Sequence, residues 1–378
     1  MSISKVFFTD FHTKAYGDGI PTKFRKLLAA SGFNDIDFEG KFVAIKIHFG
    51  EKGNLSFLRP NYARVVVDMV KERGGKPFLT DCNTMYPGFR KNALEHLYCA
   101  WENGFTPLTV GCPILIGDGL KGTDDVAVPV EGGEYVKEAY IGRAVMDADI
   151  VISLNHFKGH EETGFGGALK NLGMGCGSRA GKKDQHSSGK ALINEELCRG
   201  CRKCQKECAN GGLVFDNDRK KMTVDRNNCV GCGRCLGACN FDAIYFENFN
   251  ANEILCRKIA EYSKAVVSGR PSFHISLVVD VSPNCDCHGE NDVPILPDLG
   301  IFVSSDPVAL DQACADACQA AEPLPGGQLY NNIHSKDFID HHDHFKNSNP
   351  NIEWKSCLEH AEKIGIGSRK YELVTPSL

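Results

Sequence analysis

Apolar runs of strand length recur along the chain, and most are followed by a stretch whose apolar positions fall three and four residues apart. KFVAIKIHF (41–49) is a β-rich apolar run, and RPNYARVVVDMVKERGG (59–75) after it has helical spacing, with Pro60 near its first turn and glycines at its end. KPFLTD (76–81) predicts the next strand and GFRKNALEHLYCAWENG (88–104) the next helix. ADIVISLNHF (148–157) reads as a buried strand, and a helix begins in GALKNLGMG (167–175). Further on, ANEILCRKIAEYSKAVVSG (251–269) sets Ile254, Ile259, Tyr262 and Val266 on one helical face. FHISLVVDV (273–281) predicts a strand, and DPVALDQACADACQAA (306–321) a helix with Pro307 at its first position. Strands alternating with helices predict an α/β fold with a mostly parallel or mixed sheet flanked by helices.

Open parallel sheets hold ligands beyond the carboxyl ends of their strands. Lys46, His48 and Glu51 end the first strand; Asp81, Cys82, Asn83, Thr84 and Tyr86 follow the second. Asn155, His156, Lys158 and His160 end the third, and Cys285, Cys287 and His288 follow the fourth. A lone histidine is usually structural, but convergence of these groups predicts a pocket. The candidate residues there are Lys46, His48, Asn83, His156 and Lys158. Lysine and histidine could donate protons or bind an anionic group.

NCDCH (284–288) places two thiols and an imidazole together, so Cys285, Cys287 and His288 are candidate ligands for an additional metal ion. Reduced loop cysteines are the alternative. The glycine-rich GFGGALKNLGMGCGSRAGK (164–182) could cradle a phosphate at a helix N-terminus, but it lacks the P-loop and dinucleotide patterns. A tight turn packing helix on sheet is the alternative there. FIDHHDHF (338–345) resembles a metal site but reads more simply as a histidine-rich surface, and Cys314 and Cys318 should face the core.

A hydrophobic content of 42% over 378 residues supports a substantial core. The formal charge of −5 and the absence of a long basic run give no bias towards nucleic acid. No apolar run approaches the ~18 residues needed to cross a membrane, and the start of the chain lacks an export pattern. These features predict a soluble cytoplasmic protein with no membrane or nucleic-acid partner.

The cysteines change the picture most. Cys198, Cys201, Cys204 and Cys208 follow C-x2-C-x2-C-x3-C, and Cys229, Cys232, Cys235 and Cys239 repeat it 31 residues later. That run holds paired [4Fe–4S] clusters, the fourth cysteine of each run reaching the other cluster. The spacing predicts one cluster on Cys198, Cys201, Cys204 and Cys239 and a second on Cys229, Cys232, Cys235 and Cys208. Zinc knuckles are the rival reading. The repeat extends outward: KALINEELC (190–198) aligns with KMTVDRNNC (221–229), and LVF (213–215) with IYF (244–246). Each half reads strand, cluster loop, short helix, strand, and the two together predict one small sheet. Gly231 and Gly233 suit loops that approach sulfur closely; Ala209 and Asn240 stand where proline is usual. A small α+β ferredoxin-like insert at 190–248 would thus interrupt a discontinuous α/β core of 1–189 and 249–378.

At KIHFGEKGNLSFLRP, GFGGALKNLGMG and PDLGIFVSSDPVALDQAC the chain resembles the DUF362 family of Fe–S-center proteins. The resemblance spans nearly the whole chain. It implies an α/β core with an inserted two-cluster ferredoxin domain, common in anaerobic bacteria and archaea, and it implies no substrate. The expectation is a cytoplasmic redox protein, an oxidoreductase if it is an enzyme, relaying electrons between two clusters and a ligand in the core. The rivals are an electron carrier docking a partner enzyme, and a metal- or cluster-handling protein built on Cys285 and Cys287. No nicotinamide or flavin pattern is present, so a redox partner protein is expected to supply electrons.

Overall fold

The computed structural model describes residues 3–85, 88–186, 190–208, 210–229, 235, 239, 241, 243–246 and 251–378. Eight strands form the central sheet, in the order Tyr371–Val374, Ser4–Thr9, Gly300–Ser304, Ser272–Val278, Ile150–His156, Phe42–Lys46, Lys76–Asp81, Ile114–Ile116. The last five of these strands run parallel to one another. Gly300–Ser304 is antiparallel to both its neighbours, so the sheet is mixed. Every residue of Ile150–His156 is buried, as a central strand covered on both faces requires.

The pleat sends alternate side chains to opposite layers. Val43, Ile45, Ile150, Ile152 and Leu154 pack against Phe24 and Leu27 of helix Ile20–Ala30 and Val66, Val67 and Val70 of helix Pro60–Lys71. Ala44 and Val151 face the other way, onto Leu172 of helix Ala168–Cys176 and Tyr262 and Val266 of helix Ala251–Val267. The result is a three-layer α/β/α core, and Cys314 and Cys318 are buried in it on helix Pro307–Ala320.

Predicted elements recur with shorter bounds. The strand expected over 41–49 ends at Lys46, which frees His48 to turn into the space beyond the sheet. The helix expected over 88–104 spans Ala93–Glu102, because the Asn92 side chain accepts the backbone N–H of Glu95 and caps it there. In the cysteine-rich segment, Ala191–Ile193 pairs with Ile244–Phe246 and Leu213–Asp216 with Lys221–Val224, both antiparallel. Among the described residues, two ribbons thus stand where a single small sheet was expected.

Candidate functional site

The four central parallel strands end on the same side of the sheet, and a cavity of about 550 Å³, mouth included, opens there. Lys46, His48, His156, Lys158, Cys285 and Cys287 all line it, together with Asp81, Arg90, Lys170, Asn171 and Lys182. Five of these side chains are Lys or Arg at the edge of an apolar core, so the positions of their counter-charges decide the chemistry.

Lys46 is fully buried. Its Nζ lies 3.0 Å from Asp81 Oδ1 and donates to Asn171 Oδ1 at 2.8 Å. Asn171 in turn donates to the Lys46 carbonyl at 3.0 Å and to Asn155 Oδ1 at 2.7 Å, which locks helix Ala168–Cys176 over the strand ends. Burial would raise the Asp81 carboxyl, but the neighbouring cations, Lys46 first and Arg90 with it, outweigh it and hold the group well below the usual carboxylate range. Burial, reinforced by Arg90, keeps His48 neutral. Arg90 donates to Glu51 at 3.1 Å and lies 2.9 Å from His48 Nε2.

His156 has an acceptor at each ring nitrogen: Asp286 Oδ2 at 2.8 Å and the Val279 carbonyl at 2.7 Å. Its ring is therefore committed to holding Asp286, which also lies 3.9 Å from Lys158 Nζ. Asn83 departs from the expectation of a pocket residue. It is buried against Asp118 and the Gly119 carbonyl, at 2.8 Å each, and does not line the cavity. Tyr86 lies outside the described residues.

The glycine-rich run is not a phosphate cradle in this fold. The first backbone N–H groups of helix Ala168–Cys176, those of Ala168 and Leu169, donate to Asp311 at 2.6 and 2.9 Å. The glycines instead make room for lysine. A Cβ on Gly166 would stand 2.8 Å from Lys158 Nζ, and one on Gly175 would stand 2.5 Å from Lys46 Nζ. Gly175→Ala is expected to push the flexible end of Lys46 off Asp81 while leaving the fold intact. Asp81 then loses its main stabilising charge and its folded pKa rises, so acid unfolding should begin at a higher pH than in the wild type. Circular dichroism across an acid titration reads the shift.

Asp311 supplies a second pH test. Burial, against the two N–H donors, pushes its carboxyl up to about 7. Between about pH 4 and 7 the folded chain keeps a proton that the unfolded chain has released. Stability should therefore fall as pH rises across that window, by at most ~1.4 kcal/mol per pH unit. Asp311→Asn is expected to flatten this segment of the stability profile, measured by urea unfolding at several pH values.

Sulfur chemistry sits at the far wall. Cys285 Sγ accepts from Lys170 Nζ at 3.3 Å. A hydrogen bond from Cys287 and the charges of Lys170 and Lys158, working against burial, hold the Cys285 thiol well below its ordinary pKa. The same sulfur–sulfur contact, with burial, pushes Cys287 well above. Cys287, His288 and Glu161 offer ligand atoms within 4.8 Å of one another, a group that could hold a metal ion. Cys285 is not part of that group. The Glu161 hydrogen bond to His288, at 2.9 Å, raises the imidazole to about 9. His341 and His342 are exposed, and His344 is spent on the Ala321 carbonyl, so the histidine-rich segment forms no site among the described residues.

In the cysteine-rich segment Cys198 and Cys204 are buried, and Cys208, Cys229, Cys235 and Cys239 pack around the same small core of Ala191, Leu213, Met222, Ala243 and Ile244. Cys201 is exposed. The Cys204 thiol is pushed up to about 11, first by burial and then by the charges of Cys239, Cys201 and Cys198. Backbone N–H groups point at sulfur: Gly212 to Cys208 at 3.2 Å and Met222 to Cys198 at 3.5 Å. Cys232, Gly231, Gly233, Ala209 and Asn240 lie outside the described residues.

Lys170, Asn171, Lys182, Arg90 and Asp286 were not singled out from sequence. A Lys-Asn pair inside a glycine-spaced helix was the available signal, because polar residues there must face something other than an apolar layer.

Fold and cavity together define an α/β protein with a buried site of lysine, histidine and cysteine at its strand ends. The chain belongs to the family described as Domain of unknown function (DUF362), whose model matches residues 43–316. A thylakoid-associated protein, sll1697, of Synechocystis sp. is 29% identical over 130 residues, 33% of this chain and 34% of that protein, so the chain spans about a third of that relative's length. Two solved structures are similar in part. One is a Thermotoga maritima protein (14% identity, TM-score 0.41, 82% of this chain and 59% of that one). The other is a lactate racemase apoprotein from Thermoanaerobacterium thermosaccharolyticum (12% identity, TM-score 0.36, 73% and 51%). Among the described residues, no helix is long and apolar enough to cross a membrane.

Proposed function

We propose that the chain is an iron–sulfur redox protein whose segment 190–248 binds two [4Fe–4S] clusters and exchanges electrons with a ligand in the core cavity. The observation that carries this reading is the surrounding of Cys204. Cys239, from the far end of the second run, packs around the same small core as Cys198 and Cys204, and the thiols acting on Cys204 are Cys239, Cys201 and Cys198. That is the interleaved set the two-cluster pattern requires, and four tandem thiols serving one zinc would not call on Cys239.

Thiolates crowded in this way repel one another, and iron removes that cost by taking their charge. The N–H groups aimed at Cys198 and Cys208 lower electron density on sulfur further. Bound clusters would supply one-electron transfer. The core residues would act on the ligand: Lys158 and Lys170 would hold an anionic group, Lys46 would face it from the strand end, and Asp286, fixed by His156, would set the position of Lys158. A redox partner protein would deliver or accept the electrons.

Anaerobically purified protein tests this reading. Its visible absorbance should bleach on reduction with dithionite and return on reoxidation. A colourless protein carrying zinc would overturn it.

A further inference from the structure

We propose that Cys285 and Cys287 are a redox-active dithiol, closing to an intramolecular disulfide and reopening on two-electron reduction at the wall of the core cavity.

Buried cysteines elsewhere in this chain behave as small apolar groups whose thiols donate to carbonyls. Cys82 points at the Cys176 carbonyl, Cys99 at that of Gly50, and Cys256 at that of Glu353. Cys285 is the reverse case: its sulfur accepts from an ammonium, Lys170 Nζ at 3.3 Å. Its partner is at hand two residues along the same turn, close enough for each thiol to act on the other. The backbone N–H of His288 donates to the Cys285 carbonyl at 3.1 Å, closing a turn over 285–288. A turn of this kind brings Cα atoms two residues apart to about 5–6 Å, within the span a disulfide bridges.

The turn is clamped on both sides. Glu51 donates its backbone N–H to the Asp286 carbonyl at 2.9 Å, and Asn54 donates to the His288 carbonyl at 2.9 Å. Asp286, between the two cysteines, is held by His156. Both cysteines line the cavity, so the pair can meet a bound ligand.

A metal ion on Glu161, Cys287 and His288 is the competing use of these residues. Both ring nitrogens of His288 already face carboxylates, Glu161 at 2.9 Å and Glu290 at 3.2 Å. The metal content of wild type and Cys287→Ser separates the two uses.

The step balances as follows. Reduction breaks the Cys285–Cys287 S–S bond and consumes two electrons and one proton. It leaves a thiolate on Cys285 beside Lys170 and an S–H bond on Cys287; oxidation reverses each change. The two electrons match two one-electron carriers, one from each cluster, and to that extent the inference rests on the function proposed above.

The test uses anaerobic, full-length protein equilibrated in glutathione buffers of stepped redox poise. Samples are acid-quenched, denatured and alkylated, and the peptide containing 285 and 287 is sequenced by mass spectrometry. The expected result is a reversible loss of two hydrogens and of both alkyl groups from that peptide as the poise becomes oxidising. Cys285→Ser and Cys287→Ser should each abolish the transition while keeping the wild-type iron content. Alkylation of both residues at every poise would overturn the proposal, as would an additional zinc or iron per chain lost in Cys287→Ser. Iron analysis separates the two readings. A reversible disulfide in iron-free protein leaves the dithiol standing and removes the clusters, whereas clusters without the disulfide remove the dithiol alone.

Discussion

Replacing Cys204 by serine is expected to lower bound iron from about eight to about four per chain, and to remove half of the dithionite-bleachable absorbance. Cys204 is buried in the small core of the cysteine-rich segment, with Cys198, Cys201 and Cys239 acting on it. Serine keeps the shape but offers a poor ligand for iron. Cys239→Ser should give the same loss, although it lies 35 residues away in the second run. Iron and acid-labile sulfide assays on the two variants check this. Loss of the second cluster alone in Cys239→Ser would show that each run serves its own cluster.

Lys46→Met should be the most damaging change in the core, costing about 3–5 kcal/mol of stability at neutral pH. The methionine fits the space, so packing is not the cause. The substitution leaves Asp81 charged, buried and stripped of its 3.0 Å partner. Arg90 at 3.8 Å and His96 at 3.7 Å are too distant to replace it. Adding Asp81→Asn to Lys46→Met should recover most of the loss, because the uncompensated charge is then gone. Urea unfolding of the single and double variants measures the coupling, and strict additivity would show that the pair does not interact. In the wild type the ion pair contributes above the ordinary carboxylate pKa, and its contribution is lost as pH falls towards that of folded Asp81.

Much of the site was legible because parallel strands are nearly pure apolar runs, and the polar residues that end them stand out. Lys46, His48, His156, Lys158, Cys285 and Cys287 were all found in this way, and all line one cavity. Asn83 follows a strand in the same fashion, but Asp118, 35 residues further on, captures its amide. No local pattern records such a contact. Lys170 and Lys182 were hidden because lysine on a helix normally faces water; only the fold lays these helices over the strand ends.

The three segments that carried the family resemblance also acquire a physical reason. Glu51 and Asn54 of the first clamp the 285–288 turn. The second supplies Lys170 and Asn171, and Asp311 of the third receives the first N–H groups of the helix that carries them. A Cβ on Gly167 would stand 2.3 Å from Asp311 Oδ1, so the glycine is required by this packing. The short strands Tyr371–Val374, at the sheet edge, and Ser4–Thr9, beside it, escaped notice, because most of their residues are exposed or half-buried and carry a weaker signal than the buried centre.

The central claim is that the eight clustered cysteines hold iron for electron transfer. Metal and sulfide analysis of anaerobically purified protein, with electron paramagnetic resonance after dithionite reduction, tests it most directly. The account predicts about eight irons and eight sulfides per chain and interacting S = 1/2 signals. Zinc in place of iron, with no signal on reduction, would contradict it.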